Sequence, residues 1–228
     1  MRVVASSTAA SRAADRRRAL PQPLPDTAGA TGRPSRRDAI CAAALELAAE
    51  GGNRAVTHHG IDDRLGIARG STSYYYRTRG ELLHAAIVAL TTASRTAFHT
   101  ALAAEAVHDD PVDGAARLIA DQLALLTGER RRDALARYAL AADAAADDEL
   151  RRALAGCLFS RAAARDLMVS LDAPDPSRAA RDLISLLEGL LFDSLVGARA
   201  LDSDPAPNNP DEFRAVVLRW LTALLASR

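Results

Sequence analysis

The chain contains no lysine: all 29 of its basic residues are arginines. We read that bias as the mark of a GC-rich genome rather than as chemistry. Aromatic residues are scarce at 4%, so any core is built mainly of Ala, Leu and Val. Val and Ile are themselves sparse beside the strong helix formers Ala and Leu, which argues against a β-rich fold. There are two cysteines, Cys41 and Cys157, far apart and without metal-type spacing. They exclude a disulfide framework and read as reduced, buried, small apolar residues, with a redox role for Cys157 as the alternative. No apolar run is long enough to span a bilayer, and the N-terminus lacks a signal peptide's apolar stretch, so we expect a cytoplasmic protein without a membrane partner. No Ser/His/Asp set, paired carboxylates or Gly-rich phosphate loop appears, so no catalytic residue is nominated and no enzyme is expected.

What is present is 228 residues, 49% of them hydrophobic, enough for a sizeable core. The net charge is zero but unevenly spread. Residues 1–80 carry 13 arginines against 7 acids, and residues 81–228 carry 16 against 22. A basic head on an acidic body suggests a polyanion-binding module joined to a carrier domain.

Residues 1–34 hold Pro21, Pro23, Pro25 and Pro34 with few large apolar residues, the composition of a disordered arm. At Ser35 the pattern changes. Ser35 and Asp38 make a capping-box-like start, Ile40, Ala44 and Leu47 mark one helical face, and Gly51-Gly52 ends it. Thr57 caps a second helix, with Val56 and Ile61 as a hydrophobic staple and Gly66 as its stop. A third short helix is predicted from about Arg69 to Tyr75. Thr78 and Glu81 start a fourth, running to about Glu105, roughly 40 Å at the usual rise. Further helices are predicted near 112–127, 131–145, 147–171, 176–201 and 210–226. The fold class is therefore all-α.

Two short helices joined by a Gly-containing turn have the shape of a helix-turn-helix. The second, around Arg69-Gly70-Ser71-Thr72-Ser73-Tyr74-Tyr75-Tyr76, holds almost no aliphatic residue. Its hydroxyls and guanidinium suit phosphate oxygens and base edges. A polar, solvated helix whose tyrosines cover a core edge fits the same residues equally well. His58-His59 invites a metal reading, but adjacent side chains on a helix diverge by about 100°, so no metal site is assigned.

Residues 35–85 narrow that choice. The run Val56-Thr57, Ile61, Leu65-Gly66-Ile67-Ala68-Arg69-Gly70-Ser71, then Tyr74-Tyr75-Tyr76-Arg77-Thr78-Arg79-Gly80-Glu81-Leu82-Leu83, resembles the DNA-binding domain of TetR/AcrR-type transcriptional regulators. Arg37-Asp38-Ala39-Ile40 resembles that family's first helix. The resemblance implies a helix-turn-helix domain at 35–82 and a helical ligand-binding and dimerisation domain at 83–228. It implies double-stranded operator DNA, an unidentified small-molecule effector and a homodimer as partners, and no cofactor. The implied DNA-binding residues are Thr57, His58, His59, Arg69, Gly70, Ser71, Thr72, Ser73, Tyr74, Tyr75 and Arg79. Tyr76 would stand in for a core Phe, and Arg79 for a phosphate-binding Lys. The family commonly has Tyr where this chain has Ser73, so that contact is lost here or moves to Tyr74.

Two terminal segments carry the most apolar faces. Leu187, Leu190, Leu191 and Leu195 lie on one, and Val217, Trp220, Leu221 and Leu224 on the other, and they are expected to form a four-helix dimer interface, with one intrachain core as the alternative. For the ligand site the candidates are Phe98, Tyr138, Phe159, Arg161, Arg165 and Met168, together with His99, because these interrupt Ala/Leu-rich helices. A small-residue lining at Ala162-Ala163-Ala164 would leave room for a ligand or allow close helix packing. The reading from a different class is a helical ligand-binding or assembly protein whose helix-turn-helix no longer binds DNA.

Overall fold

Local capping chemistry sets most of the helix starts. Ser35 accepts from the Asp38 amide at 3.2 Å while Asp38 accepts from the Ser35 amide at 3.0 Å, closing the box that begins α1 (Arg36–Gly51). Thr57 accepts from the Gly60 amide at 2.9 Å to begin α2 (His58–Leu65). Both staple residues, Val56 and Ile61, are fully buried. Gly66 ends α2 in the left-handed region at φ 60°. Gly70, at φ 88°, precedes α3 (Ser71–Tyr75), which therefore starts two residues later than the sequence predicts. A side chain at either glycine would meet open space, so what the site needs is the backbone conformation and not close approach. Thr78 and Glu81 exchange backbone hydrogen bonds at 3.1 and 3.3 Å at the start of α4 (Arg79–Ala104), whose 26 residues reach about 39 Å.

The computed structural model describes residues 34–104, 110–201 and 209–226. The arm expected over 1–34 lies outside them except for Pro34. After α4 come α5 (Pro111–Thr127), α6 (Arg131–Ala144), α7 (Asp148–Ala155), α8 (Arg161–Ser170), α9 (Pro176–Leu195) and α10 (Pro210–Ala226). Short 3₁₀ turns occupy Asn53–Ala55 and Ala198–Leu201. Among the described residues there is no strand and no helix long and apolar enough to cross a membrane. The fold is all-α, as expected. The pattern predicted over 147–171 is two helices: α7 ends at Gly156, and the Ser160 hydroxyl accepts from the Ala163 amide to start α8 afresh. The pattern over 176–201 likewise ends early, at Leu195, and finishes as a 3₁₀ turn.

The buried residues form two clusters. The first joins Ile40, Ala44 and Leu45 of α1, Ile61 of α2, and Leu82, Ile87 and Leu90 of α4 to Ala136 and Leu140 of α6 and Leu150 and Leu154 of α7. The three helices of the head thus share their core with α6 and α7. The second cluster is built of α5, α8, α9 and α10 around Leu123, Met168, Leu183, Leu191, Phe213, Val217 and Leu221.

Several leucines expected at a dimer interface belong to this second core. Leu191, Val217 and Leu221 are fully buried, and Leu187, Leu190 and Leu195 are at most 9% exposed within the single chain. Leu224 is half-buried and packed against the same core. Of the eight residues, Trp220 alone is exposed; Phe192 and Val196 at the end of α9 are exposed as well. Periodicity finds an apolar face but does not say whose core it fills.

The seam of α10 on α5 is the most extensive helix pair of the fold. Replacing its buried Phe213 by Ala is expected to cost about 3–5 kcal/mol, read as a lower urea midpoint at unchanged slope. A loss below about 1 kcal/mol would show that this seam is not a core.

Candidate functional site

The recognition segment is held by one carboxylate. Asp62 on α2 is fully buried and accepts from the Gly70 amide at 2.7 Å, the Thr72 amide at 2.9 Å and the Thr72 hydroxyl at 2.7 Å. It satisfies amides at the start of α3 that the helix cannot satisfy itself. Burial alone would raise the carboxyl's pKa. The bonds from Thr72 and Gly70 outweigh burial and hold it below the usual carboxylate range. From the other side His58 Nε2 lies 2.8 Å from the Tyr76 carbonyl oxygen, a hydrogen bond that ties the start of α2 to the end of α3. Tyr76 is buried, as expected of a core aromatic, with its hydroxyl 3.5 Å from Cys41 Sγ.

This scaffold sorts the expected DNA-binding residues. Thr57, His59, Arg69, Gly70, Ser73 and Tyr74 are exposed, and Ser71 and Tyr75 are half-buried. Arg69 is held only by a long 3.7 Å contact with Asp63, and Tyr74 is 82% exposed. Tyr75 is braced edge-on by Tyr74 at 5.3 Å and covered by the Arg37 guanidinium at 5.6 Å. Thr72 turns inward to Asp62, and His58 is engaged at the helix junction. Neither is free to reach a ligand.

Arg79 also differs from its expected role. Its NH1 and NH2 fork onto Asp143 of α6 at 2.6 and 3.1 Å, NH2 also donates to the Asn53 carbonyl at 2.7 Å, and Nε donates to the Val56 carbonyl at 3.3 Å. These bonds fasten α4, α6 and the turn before α2 to one another, leaving little of the guanidinium for a phosphate. Arg54 and Arg77, which the sequence reading did not single out, present exposed guanidiniums beside α2 and α3. Asp62 was missed as well. Its only signal is an acid next to Ile61 on the inward side of a short helix.

Farther along the chain, α4, α5, α8 and α9 enclose a cavity of about 580 Å³. Of the expected ligand-site residues, Phe98, His99 and Phe159 line it, along with Ala163 and Ala164. Tyr138, Arg161, Arg165 and Met168 do not. Tyr138 packs edge-on against Phe192 at 5.4 Å, Met168 is sealed in the second core, and Arg161 and Arg165 are exposed. Cys157 is on the cavity wall, where burial pushes its thiol up to about 11, so it is not the reactive thiolate a redox switch requires. Burial raises Cys41 as well, and both cysteines are free.

The family model of the tetracyclin repressor-like C-terminal domain matches residues 110–226, the part of the chain that holds most of the cavity. The chain is a TetR-family regulator. No curated protein matches its sequence. A transcriptional regulator from Rhodococcus sp. Rha1 shares its fold at a TM-score of 0.65 and 21% identity, covering 84% of this chain and 96% of its own. A transcriptional regulator from Streptomyces coelicolor A3(2) is 27% identical at a TM-score of 0.62, covering 85% of this chain and 100% of its own. The multidrug binding protein EbrR, complexed with malachite green, has 22% identity and a TM-score of 0.58 over 82% of this chain and 98% of its own. TetR-family regulators are DNA-binding proteins and not enzymes.

The Asp62 network gives this TetR-family head a defined acid response. A carboxyl whose folded pKa is depressed contributes stability above its unfolded value, about 3.9, and loses it as pH falls through the folded value. Asp62→Ala is expected to cost about 1–3 kcal/mol at neutral pH. The gap between wild type and variant should shrink as pH drops below about 4, followed by urea denaturation. A gap independent of pH would show that the carboxylate is not the stabilising group.

Proposed function

We propose that this protein is a dimeric repressor that binds operator DNA through α2 and α3 and releases it when a small, mostly apolar molecule fills the cavity. The observation that carries the reading is the pairing of two features on one α4. Its first turn is fastened by Arg79 to the turn that leads into α2, and its last turns, from Ser94 to Leu102, line the cavity. A ligand entering there meets the same helix whose first turn anchors the approach to α2. The shared fold with a multidrug-binding protein supports a ligand-responsive body. In a dimer the two α3 helices have to enter successive major grooves, about 34–36 Å apart. Release then follows if the ligand prefers a conformation with a different spacing, and only in proportion to that preference. In this reading residues 35–82 are the reading head and 83–228 the effector and dimerisation body, in a cytoplasmic protein.

The test is a mobility-shift titration at several salt concentrations on the DNA upstream of the protein's own gene. Arg69→Ala is expected to relax preference at one base pair, at a cost of about 1–3 kcal/mol. Arg79→Ala is expected to lower the melting temperature yet leave the salt slope unchanged, because its charge is spent on Asp143. A slope reduced by about one phosphate would restore Arg79 as a backbone contact. No specific shift at any salt would favour the other reading, a ligand-binding or assembly protein whose head does not bind DNA.

For the dimer we assign the exposed apolar side chains Phe192 and Val196 at the end of α9 and Trp220 on α10, since large apolar groups left open to solvent point to an association surface. The double variant Phe192→Asp/Trp220→Asp is expected to be a folded monomer at micromolar concentration by light scattering. Leu191→Asp should instead unfold the chain, because it buries a charge in the second core. A double variant that stays dimeric would rule out this face.

A further inference from the structure

The cavity has two unlike ends. Leu102 of α4 and Ala115 and Leu118 of α5 are near the connection between those helices and present only apolar atoms. Ser94, Arg95, Gln122 and Arg130 are at the opposite end, where the Arg130 guanidinium donates to Ser94 Oγ at 2.9 Å across the two helices. Arg130 is largely buried, 16% exposed at its side chain, and is held by the buried Asp133 at 2.9 Å. That carboxylate also touches Arg132 at 3.0 Å, which pairs in addition with Glu46 at 3.5 Å. Arg95 is exposed at the rim of the cavity and has no protein hydrogen-bond or ion-pair partner among the described residues. The polar end of the cavity thus presents two guanidiniums, one paired with Asp133 and one facing solvent, beside an apolar lining. Asp166 of α8 is the one acid among the lining residues, and its side chain is exposed to solvent.

Resting on the reading of this cavity as the effector site, we infer that the effector is an anionic amphiphile, an alkyl or aryl carboxylate, with its head between Arg95 and Arg130 and its tail along Phe98, Leu118 and Leu187. An anion there gives Arg95 a charged acceptor in place of water and adds to the contacts that Arg130 makes with Asp133 and Ser94. A cationic head in the same place would be repelled by both guanidiniums. The volume, about 580 Å³, suits a small ligand of this kind. The head group would also bear on Arg130, immediately before α6, the helix that carries Asp143 and so grips the head through Arg79.

The test uses the full chain and three probes with the same tail, dodecanoate, dodecanol and dodecyltrimethylammonium, each below its micelle concentration, by titration calorimetry. Dodecanoate is expected to bind about tenfold or more tighter than dodecanol, the worth of a charge-assisted hydrogen bond, and the ammonium weaker than both. Arg95→Gln should collapse the carboxylate-to-alcohol affinity ratio by about tenfold. Ala163→Trp, which fills the cavity, should remove binding of all three. Equal affinities for the three heads, a preference for the ammonium, or an unchanged ratio in Arg95→Gln would overturn the head-group assignment. So would the failure of all three to bind, or dodecanoate binding that survives Ala163→Trp. Dodecanoate that binds with the expected selectivity but leaves operator affinity unchanged would sink the release reading alone.

Discussion

The fork of Arg79 onto Asp143 is the interaction on which the arrangement of the head depends. It joins residues 64 positions apart in sequence, and two backbone carbonyls before α2 share the same guanidinium. A helix-turn-helix of this size has little core of its own. α3 is five residues long and would not persist in water without tertiary support. The head is completed by α6 and α7, which supply Ala136, Leu140, Leu150 and Leu154 to the first core. The fork aligns the polar edge of that shared core. A guanidinium suits the task because its planar donors can satisfy a carboxylate and carbonyls together, which a single ammonium cannot do with the same geometry.

Inside the head, Asp62 applies the same logic on a smaller scale. Helix α3 presents Ser73 and Tyr74 outward and holds no aliphatic residue with which to anchor itself. It is anchored by its backbone, through a buried carboxylate that takes two amides and the hydroxyl of Thr72. Burying that charge is tolerable because every bond it accepts comes from a group that would otherwise lack a partner.

What was legible in the sequence follows from range. Ser35, Thr57, Thr78 and Gly66 act on residues within three or four positions, so the helix starts and stops they set could be read directly. The buried place of Tyr76 was legible through the family pattern. The partners of Arg79 and Asp62 were not, because non-local ion pairs and buried acceptors leave no periodic mark. Leu191 and Val217 show a different limit. Their faces are as apolar as the sequence suggests, but a hydrophobic stripe carries no label saying whether its own chain or a second copy covers it. The break between α7 and α8 was missed because Ser160 looks like any helical serine until its hydroxyl is seen capping Ala163.

The scarcity of aromatics that marks the sequence returns as a structural property. Ala-rich helices approach closely where two small faces meet, and leave space where the few large residues hold them apart. Phe98 and Phe159 stand at the cavity wall beside Ala163 and Ala164, so the same composition that packs α6 tightly against α1 leaves a hollow under α8. Helix α6 borders both regimes. Ala134 belongs to the second core and Ala136 and Leu140 to the first, while Arg137 is paired with Glu188 of α9 at 2.7 Å. Burial raises the Glu188 carboxyl, and the Arg137 guanidinium offsets only part of that rise. A helix tied by one arginine pair to the cavity wall and by another to the reading head cannot shift at one end without straining the other. Its stiffness follows from packing, and its two polar pairs fix the direction in which a shift would be felt.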